Sequence, residues 1–144
     1  AVDPWFIVSQ FENEANLIKI ARSVNKNKTN WVLNQIELKT KDIEIKLKRK
    51  PIIGCLGLTF KPDVDDTRES PALDIVQSLK KKLRKVLICD PNLENSKKYE
   101  LVNLKTILEY SDLLIFLVAH KEFQKISKNE IEEKEFLDFC NVVK

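Results

Sequence analysis

A chain of 144 residues with 43% hydrophobic and 33% charged side chains can bury one core, with room for an appended helical piece. Its 25 basic and 22 acidic residues leave a charge of +3, a slight bias toward a phosphate-bearing small ligand and far from the excess of a dedicated polybasic nucleic-acid binder. No apolar run approaches the roughly 20 residues that span a bilayer, and the three cysteines, Cys55, Cys89 and Cys140, show no metal-type spacing, so each reads as a small buried thiol in a reducing cytoplasm.

In chain order, residues 2–10 read as an apolar turn region fixed by Pro4. Residues 11–25 read as a helix, with Ala15, Leu17, Ile18, Ala21 and Val24 at helical spacing. Asn25-Lys26-Asn27-Lys28 reads as a polar break before a second helix over residues 30–48. The basic end of that helix, Lys46 to Lys50, suits the helix dipole and solubility better than nucleic acid, because no aromatic residues interleave with the cations. From Pro51 the texture changes to apolar runs at 52–58, 86–89, 113–118 and 136–140, separated by helical patterns at 72–82 and 104–110 and by helical turns within 121–134, broken near Ser127. Continuous apolar strands alternating with helices predict an α/β, Rossmann-like parallel sheet covered on both faces.

The segment from Ile53 to Pro71 organises the rest. It predicts a strand, then a loop carrying Lys61, Asp65, Asp66 and Arg68, then a helix started by Ser70 as N-cap and Pro71 at the first helical position. In an open parallel sheet ligands bind at the carboxyl ends of the strands. This loop, Asp90-Pro91-Asn92 and Ala119-His120-Lys121 all leave strands at that edge. Gly54 and Gly57 do not make the Gly-x-Gly-x-x-Gly dinucleotide fingerprint, so side-chain cations rather than loop backbone must serve any phosphate. On residue type alone Lys61 and Arg68 are equally ligand contacts or surface charges, and Asp3, before a proline, is a turn former. The single histidine, His120, sits on a loop read as exposed, and a structural or rim-lining role is set against proton shuttling.

The pattern Gly57-Leu58-x-Phe60-Lys61-Pro62-x-x-x-Asp66-x-Arg68-x-Ser70-Pro71 resembles the opening of the C-terminal domain of the nucleotide-diphospho-sugar 6-dehydrogenases, which include the UDP-glucose, GDP-mannose and UDP-N-acetylmannosamine enzymes. Val2-Asp3-Pro4-Trp5-Phe6 is most similar to the UDP-N-acetylmannosamine branch. The resemblance implies a division into the end of a central helical dimerisation domain, residues 1–50, and a UDP-sugar-binding domain, residues 51–144. It implies that Lys61 reaches the nucleotide-sugar, Phe60 packs beside the sugar, Arg68 contacts NAD, Asp66 orients these cations and Asp65 is a solvated neighbour.

Asp3 matches the family aspartate that follows a cysteine nucleophile by four residues and assists proton handling and the hydrolytic water. That cysteine would precede Ala1, and the chain, which contains no methionine, reads as part of something longer. The implied reaction oxidises a C6 alcohol through a thiohemiacetal and a thioester to the acid, with two NAD bound mainly by an absent N-terminal domain. The implied partners are a UDP-sugar and, through the helical segment, a second copy, with no nucleic acid and no membrane. Ala119 replaces the acid that often precedes the histidine in relatives, which weakens an acid–histidine pairing there. In Asp138-Phe139-Cys140-Asn141, Cys140 stands where the family pattern has a basic ligand contact.

Overall fold

The computed structural model describes residues 3–82, 84–94 and 99–143, apart from the side chain of Asp3. Its elements are α1 (Asp3–Gln10), α2 (Asn16–Leu47), β1 (Ile53–Leu56), α3 (Pro71–Lys81), β2 (Val86–Cys89), α4 (Leu104–Tyr110), β3 (Leu113–Phe116), a 3-10 turn at Phe123–Lys125, α5 (Lys128–Ile131) and β4 (Glu135–Asp138). The four strands form one parallel sheet in the order β2-β1-β3-β4. This is the expected Rossmann-like α/β architecture.

The two central strands, β1 and β3, are buried at every position, the edge strands β2 and β4 only in part, and alternate residues feed alternate cores. Ile53, Cys55, Leu113 and Ile115 pack with Val32, Ile36 and Ile43 of α2 and with Ile75, Val76 and Leu79 of α3. Leu56, Leu114 and Phe116 turn the other way, onto Ile107 of α4, Phe123 and Ile131. Ser70 and Pro71 start α3 as their types require: the Ser70 hydroxyl accepts from the Leu73 N–H and Pro71 opens the first turn. Ser127 likewise starts α5, its side chain and backbone bonding reciprocally with Glu130.

Two expectations about the first 50 residues need correction. Residues 3–10 are helical rather than a turn, with Pro4 accepted because a proline in the first helical turn sacrifices no intrahelical bond. The break at Asn25–Lys28 does not exist; α2 runs through it for 32 residues. Asparagine and lysine cost a helix only tenths of a kcal/mol up to about 0.7 each, and the segment contains neither glycine nor proline. Polarity there marks an exposed face, not an end.

The basic residues at the end of α2 and α3 tie these helices down. Arg49 makes a bidentate bond to Asp112 at 2.7 Å through each nitrogen, Lys46 and Lys39 converge on Glu135, Lys82 pairs with Glu37 and Arg84 with Glu44. The two lysines, by hydrogen bond and charge, hold the Glu135 carboxyl down at about 2. Several charges of these basic tracts, Lys46, Arg49, Lys82 and Arg84, are thus partnered with carboxylates between elements.

Candidate functional site

Register places the ends of β1, β2 and β3 side by side, with Leu56 opposite both Cys89 and Phe116. The three loops that follow are therefore neighbours at the carboxyl edge of the sheet, as the topology predicts. What joins them is a buried polar cluster built on Asp90 and His120.

Asp90 follows β2 by one residue, and its side chain is fully buried. Its Oδ2 accepts from the Leu58 N–H at 2.7 Å and the Thr59 N–H at 3.3 Å, and its Oδ1 accepts from the Asn92 N–H at 3.0 Å. Burial alone would raise this carboxyl, but bonds from His120, Leu58 and Asn92 outweigh it and hold Asp90 below the ordinary carboxylate value.

His120 is not on an exposed loop. It is 0% exposed, and both ring nitrogens are committed. Nδ1 accepts from the Asp63 N–H at 3.0 Å and so carries no proton. Nε2 lies 3.1 Å from Asp90 Oδ2 and 3.2 Å from Thr59 Oγ1. The Thr59 hydroxyl donates to the Lys61 carbonyl at 2.9 Å, so its oxygen receives the Nε2–H, which it shares with Asp90. The tautomer is fixed by its surroundings. The acid–histidine pair that Ala119 made unexpected is supplied by Asp90, 30 residues away in sequence.

The charged loop turns on itself above this cluster: the Phe60 N–H donates to the Asp66 carbonyl at 2.7 Å. Asp63 and Glu69 adopt positive φ of 60° and 52°, and the Asp63 carboxylate accepts from the Lys121 N–H at 3.0 Å. Asp66 grips Arg68 and, among the described residues, no other cation, receiving its backbone N–H at 2.9 Å, its Nε at 3.0 Å and its Nη2 at 2.8 Å. The Arg68 side chain and backbone bonds bring the Asp66 carboxyl down to about 2. The Arg68 side chain is otherwise 89% exposed, with Nη1 making no hydrogen bond among the described residues. Lys61 has no carboxylate within ion-pair distance among those residues; its Nζ lies 5.7 Å from the ring of the exposed Phe60. Asp65 is exposed. The Asp3 side chain lies outside the described residues.

Close packing accounts for both glycines. Gly57 leaves β1 at φ 94°, and a Cβ there would meet Val118 Cβ at 2.5 Å; a Cβ on Gly54 would strike Ser111 and come within 2.8 Å of Ile107 Cγ1 on α4. Asp138 serves a turn, accepting from the backbone N–H groups of Cys140, Val142 and Val143 at 3.0, 2.7 and 2.8 Å, with Asn141 at φ 59°. Burial pushes all three thiols up, Cys55 and Cys140 to about 12 and Cys89 to about 11, with Asp138 adding to the rise at Cys140 and Asp90 at Cys89. A thiol in that range is not a thiolate near neutrality, so none is an activated nucleophile. Among the described residues no group of three or more His, Cys, Asp or Glu could hold a metal.

At the same edge a cleft of about 160 Å³ separates α2 from the first turn of α3, lined by Asn25, Lys28, Thr29, Pro71, Leu117 and Phe139 among others. The rim thus offers exposed cations, Lys61 and Arg68 among them, an aromatic face and a helix N-terminus.

Residues 54–144 match the family described as UDP-glucose/GDP-mannose dehydrogenase family, UDP binding domain. The chain is 47% identical, over 97% of its length, to the UDP-N-acetyl-D-mannosamine dehydrogenase of Campylobacter jejuni, and 40% identical over 96% to that of Yersinia pestis. It spans about a third of the length of these curated relatives. Among solved structures it superimposes on the UDP-N-acetyl-mannosamine dehydrogenase of S. aureus with a TM-score of 0.77 at 33% identity, over 100% of this chain and 34% of that one. The corresponding values for the UDP-D-ManNAc dehydrogenase of Pyrococcus horikoshii are 0.79, 27%, 99% and 34%.

Proposed function

Because the chain belongs to the UDP-glucose/GDP-mannose dehydrogenase family, we propose that it is the nucleotide-sugar half of an NAD-dependent UDP-N-acetylmannosamine 6-dehydrogenase. In this reading residues 51–144 hold the UDP-sugar and residues 1–50 are the end of the central helical domain. The observation that carries it is the loop after β1, where Lys61, beside Phe60, stands clear of any carboxylate partner among the described residues while Arg68 is braced by Asp66. Lys61 supplies a mobile point charge for a phosphate or sugar oxygen, and Phe60 an apolar face for the sugar. The helix dipole of α3 adds to the positive potential at this edge.

NAD, when bound, accepts the hydride from the C6 carbon. The fit of this chain to it is partial: no glycine fingerprint is present to hold a pyrophosphate, but the free Nη1 of Arg68 can meet an anion presented from another domain. Asp66 keeps that guanidinium aimed. Asp3 would handle protons near a nucleophile that this chain does not contain, since its own three thiols are held in the protonated form. On this account the chain by itself binds nucleotide and catalyses nothing.

A second copy is the proposed partner of α2. Leu17, Val24, Trp31, Leu38 and Ile45 recur every seven residues, and all five are between 47% and 80% exposed. A seven-residue apolar period is the signature of helix-on-helix packing. Sedimentation of the chain should give a dimer that Val24→Glu with Leu38→Glu converts to monomer at unchanged helicity; a wild-type monomer at high concentration would refute this assembly.

Calorimetric titration with UDP, UDP-N-acetylmannosamine, UDP-glucose and NAD tests the ligand assignment. We expect saturable binding of the UDP compounds that weakens at least about tenfold in Lys61→Ala, the loss of one charge-assisted contact. Equal binding by Lys61→Ala would remove Lys61 from the site.

A further inference from the structure

We propose that His120 is a positioning residue for Lys61, holding the segment from Thr59 to Asp63 in one conformation through its unprotonated Nδ1. The proposal rests on the assignment of Lys61 to ligand contact. Its starting point is that the two ring nitrogens perform different tasks. Nε2–H faces the interior and satisfies Asp90 and Thr59. Nδ1 faces the loop and receives the N–H of Asp63, two residues beyond Lys61.

The Lys61 carbonyl is held by the hydroxyl of Thr59, two residues before it, the group that the same ring bonds through Nε2. The segment from Thr59 to Asp63 is therefore tied at both its ends to one imidazole. Pro62 restricts the single residue between Lys61 and Asp63. The Asp63 carboxylate then closes the arrangement on the far side, accepting from the Lys121 N–H and pairing with Lys121 Nζ at 3.4 Å. The charged groups facing His120 are Asp90, Asp63 and, through Asp63, Lys121; the remaining face meets the edge of Phe123 at 5.4 Å.

A lysine side chain has a long flexible stem, so its charge is placed only as well as its backbone is held. A histidine that merely filled the core would need Asp90 but not Asp63. The two roles separate by substitution. A glutamine amide reaches about as far as Nε2 and can donate to Asp90 and Thr59, leaving the Asp63 N–H unpaired. An asparagine amide reaches about as far as Nδ1 and can accept from Asp63, but takes the Nε2–H away from Asp90 and Thr59.

The test compares His120→Gln, His120→Asn and the unaltered chain by urea unfolding, amide exchange at Asp63 and UDP titration. His120→Gln should keep the greater stability, yet exchange the Asp63 amide at least about tenfold faster and bind UDP about tenfold more weakly. His120→Asn should be less stable but keep Asp63 protection and UDP affinity within about threefold of the unaltered chain. Unchanged Asp63 exchange in His120→Gln, or UDP affinity that simply follows stability across both variants, overturns the proposal. So does a ¹⁵N spectrum of the unaltered chain that places the ring proton on Nδ1. Unaltered UDP binding that ignores Lys61→Ala would overturn the ligand assignment and the proposal with it. Lys61-dependent binding left intact in His120→Gln would overturn only the role of His120.

Discussion

Replacing Gly57 by valine should cost about 4 kcal/mol of unfolding free energy, a large fraction of the margin of roughly 5–15 kcal/mol typical of native proteins. Two penalties combine. A β-branched residue at φ 94° is a backbone outlier worth roughly 1–3 kcal/mol. The new side chain also enters space held by Val118, whose Cβ and N would lie 2.5 and 2.9 Å from the added Cβ, an overpacking of about another 1–3 kcal/mol. The backbone there cannot drift, because the Gly57 N–H donates to the Cys89 carbonyl at 2.8 Å and Leu58 is bound by Asp90. Urea unfolding measures the effect, and a loss under 1 kcal/mol would show that the exit from β1 is not as tight as described. Gly57→Ala should lie between the two, with the φ penalty and part of the clash.

Asp90→Ala should cost about 3–5 kcal/mol near neutral pH, because it strips the acceptor from the N–H groups of Leu58, Thr59 and Asn92 and leaves the His120 Nε2–H only Thr59 Oγ1. The pH dependence has a definite sign. The Asp90 carboxyl is held below its ordinary value in the folded chain, so the unfolded chain binds the proton more tightly. Its contribution is complete above the unfolded carboxylate value of about 3.9 and falls away as pH drops through the lower, folded value. The stability gap between the unaltered chain and Asp90→Ala should therefore be constant from pH 7 down to about 5 and narrow below about 4. A gap that stays wide in acid, or one under 1 kcal/mol at neutrality, would contradict the role given to Asp90.

Much of the sheet was legible in the sequence, for a physical reason. Val86–Cys89 and Leu104–Tyr110 lie within sharp boundaries, Asp90-Pro91 after the one and Ser111 after the other, and both elements occupy the expected residues. Ser70-Pro71 is a strong helix-start signal, and α3 begins there. The edges of β1 and β3 were read two residues too far because Gly57-Leu58 and Leu117-Val118 remain apolar after pairing ends; Leu58 and Val118 are buried in the exit loops rather than in the ladder.

The continuity of α2 was hidden for the opposite reason. Its polar stretch from Asn25 to Lys28 reads as punctuation, yet exposed asparagine and lysine do not end a helix. The buried cluster was hidden by distance. Nothing local links Thr59, Asp63, Asp90 and His120, and only the parallel register brings them within bonding range. A usable signal existed: chemistry-bearing side chains within a few residues of the carboxyl ends of adjacent parallel strands meet at one rim. Applied with the observed strand order, that rule brings Asp90 and His120 to the same rim. The exposed pair Asp66–Arg68 needed no such rule, since two residues apart in one loop is already within reach.

The most direct test of the central claim is a residue-resolved titration of the ¹⁵N-labelled chain with UDP. The account predicts saturable shifts at residues 58–68 and 117–121, with the Lys61 and Arg68 amides among the largest, and their loss in Lys61→Ala. Shifts confined to the opposite edge of the sheet, around Arg49 and Asp112, or none at the loop after β1 at saturating UDP, would contradict it.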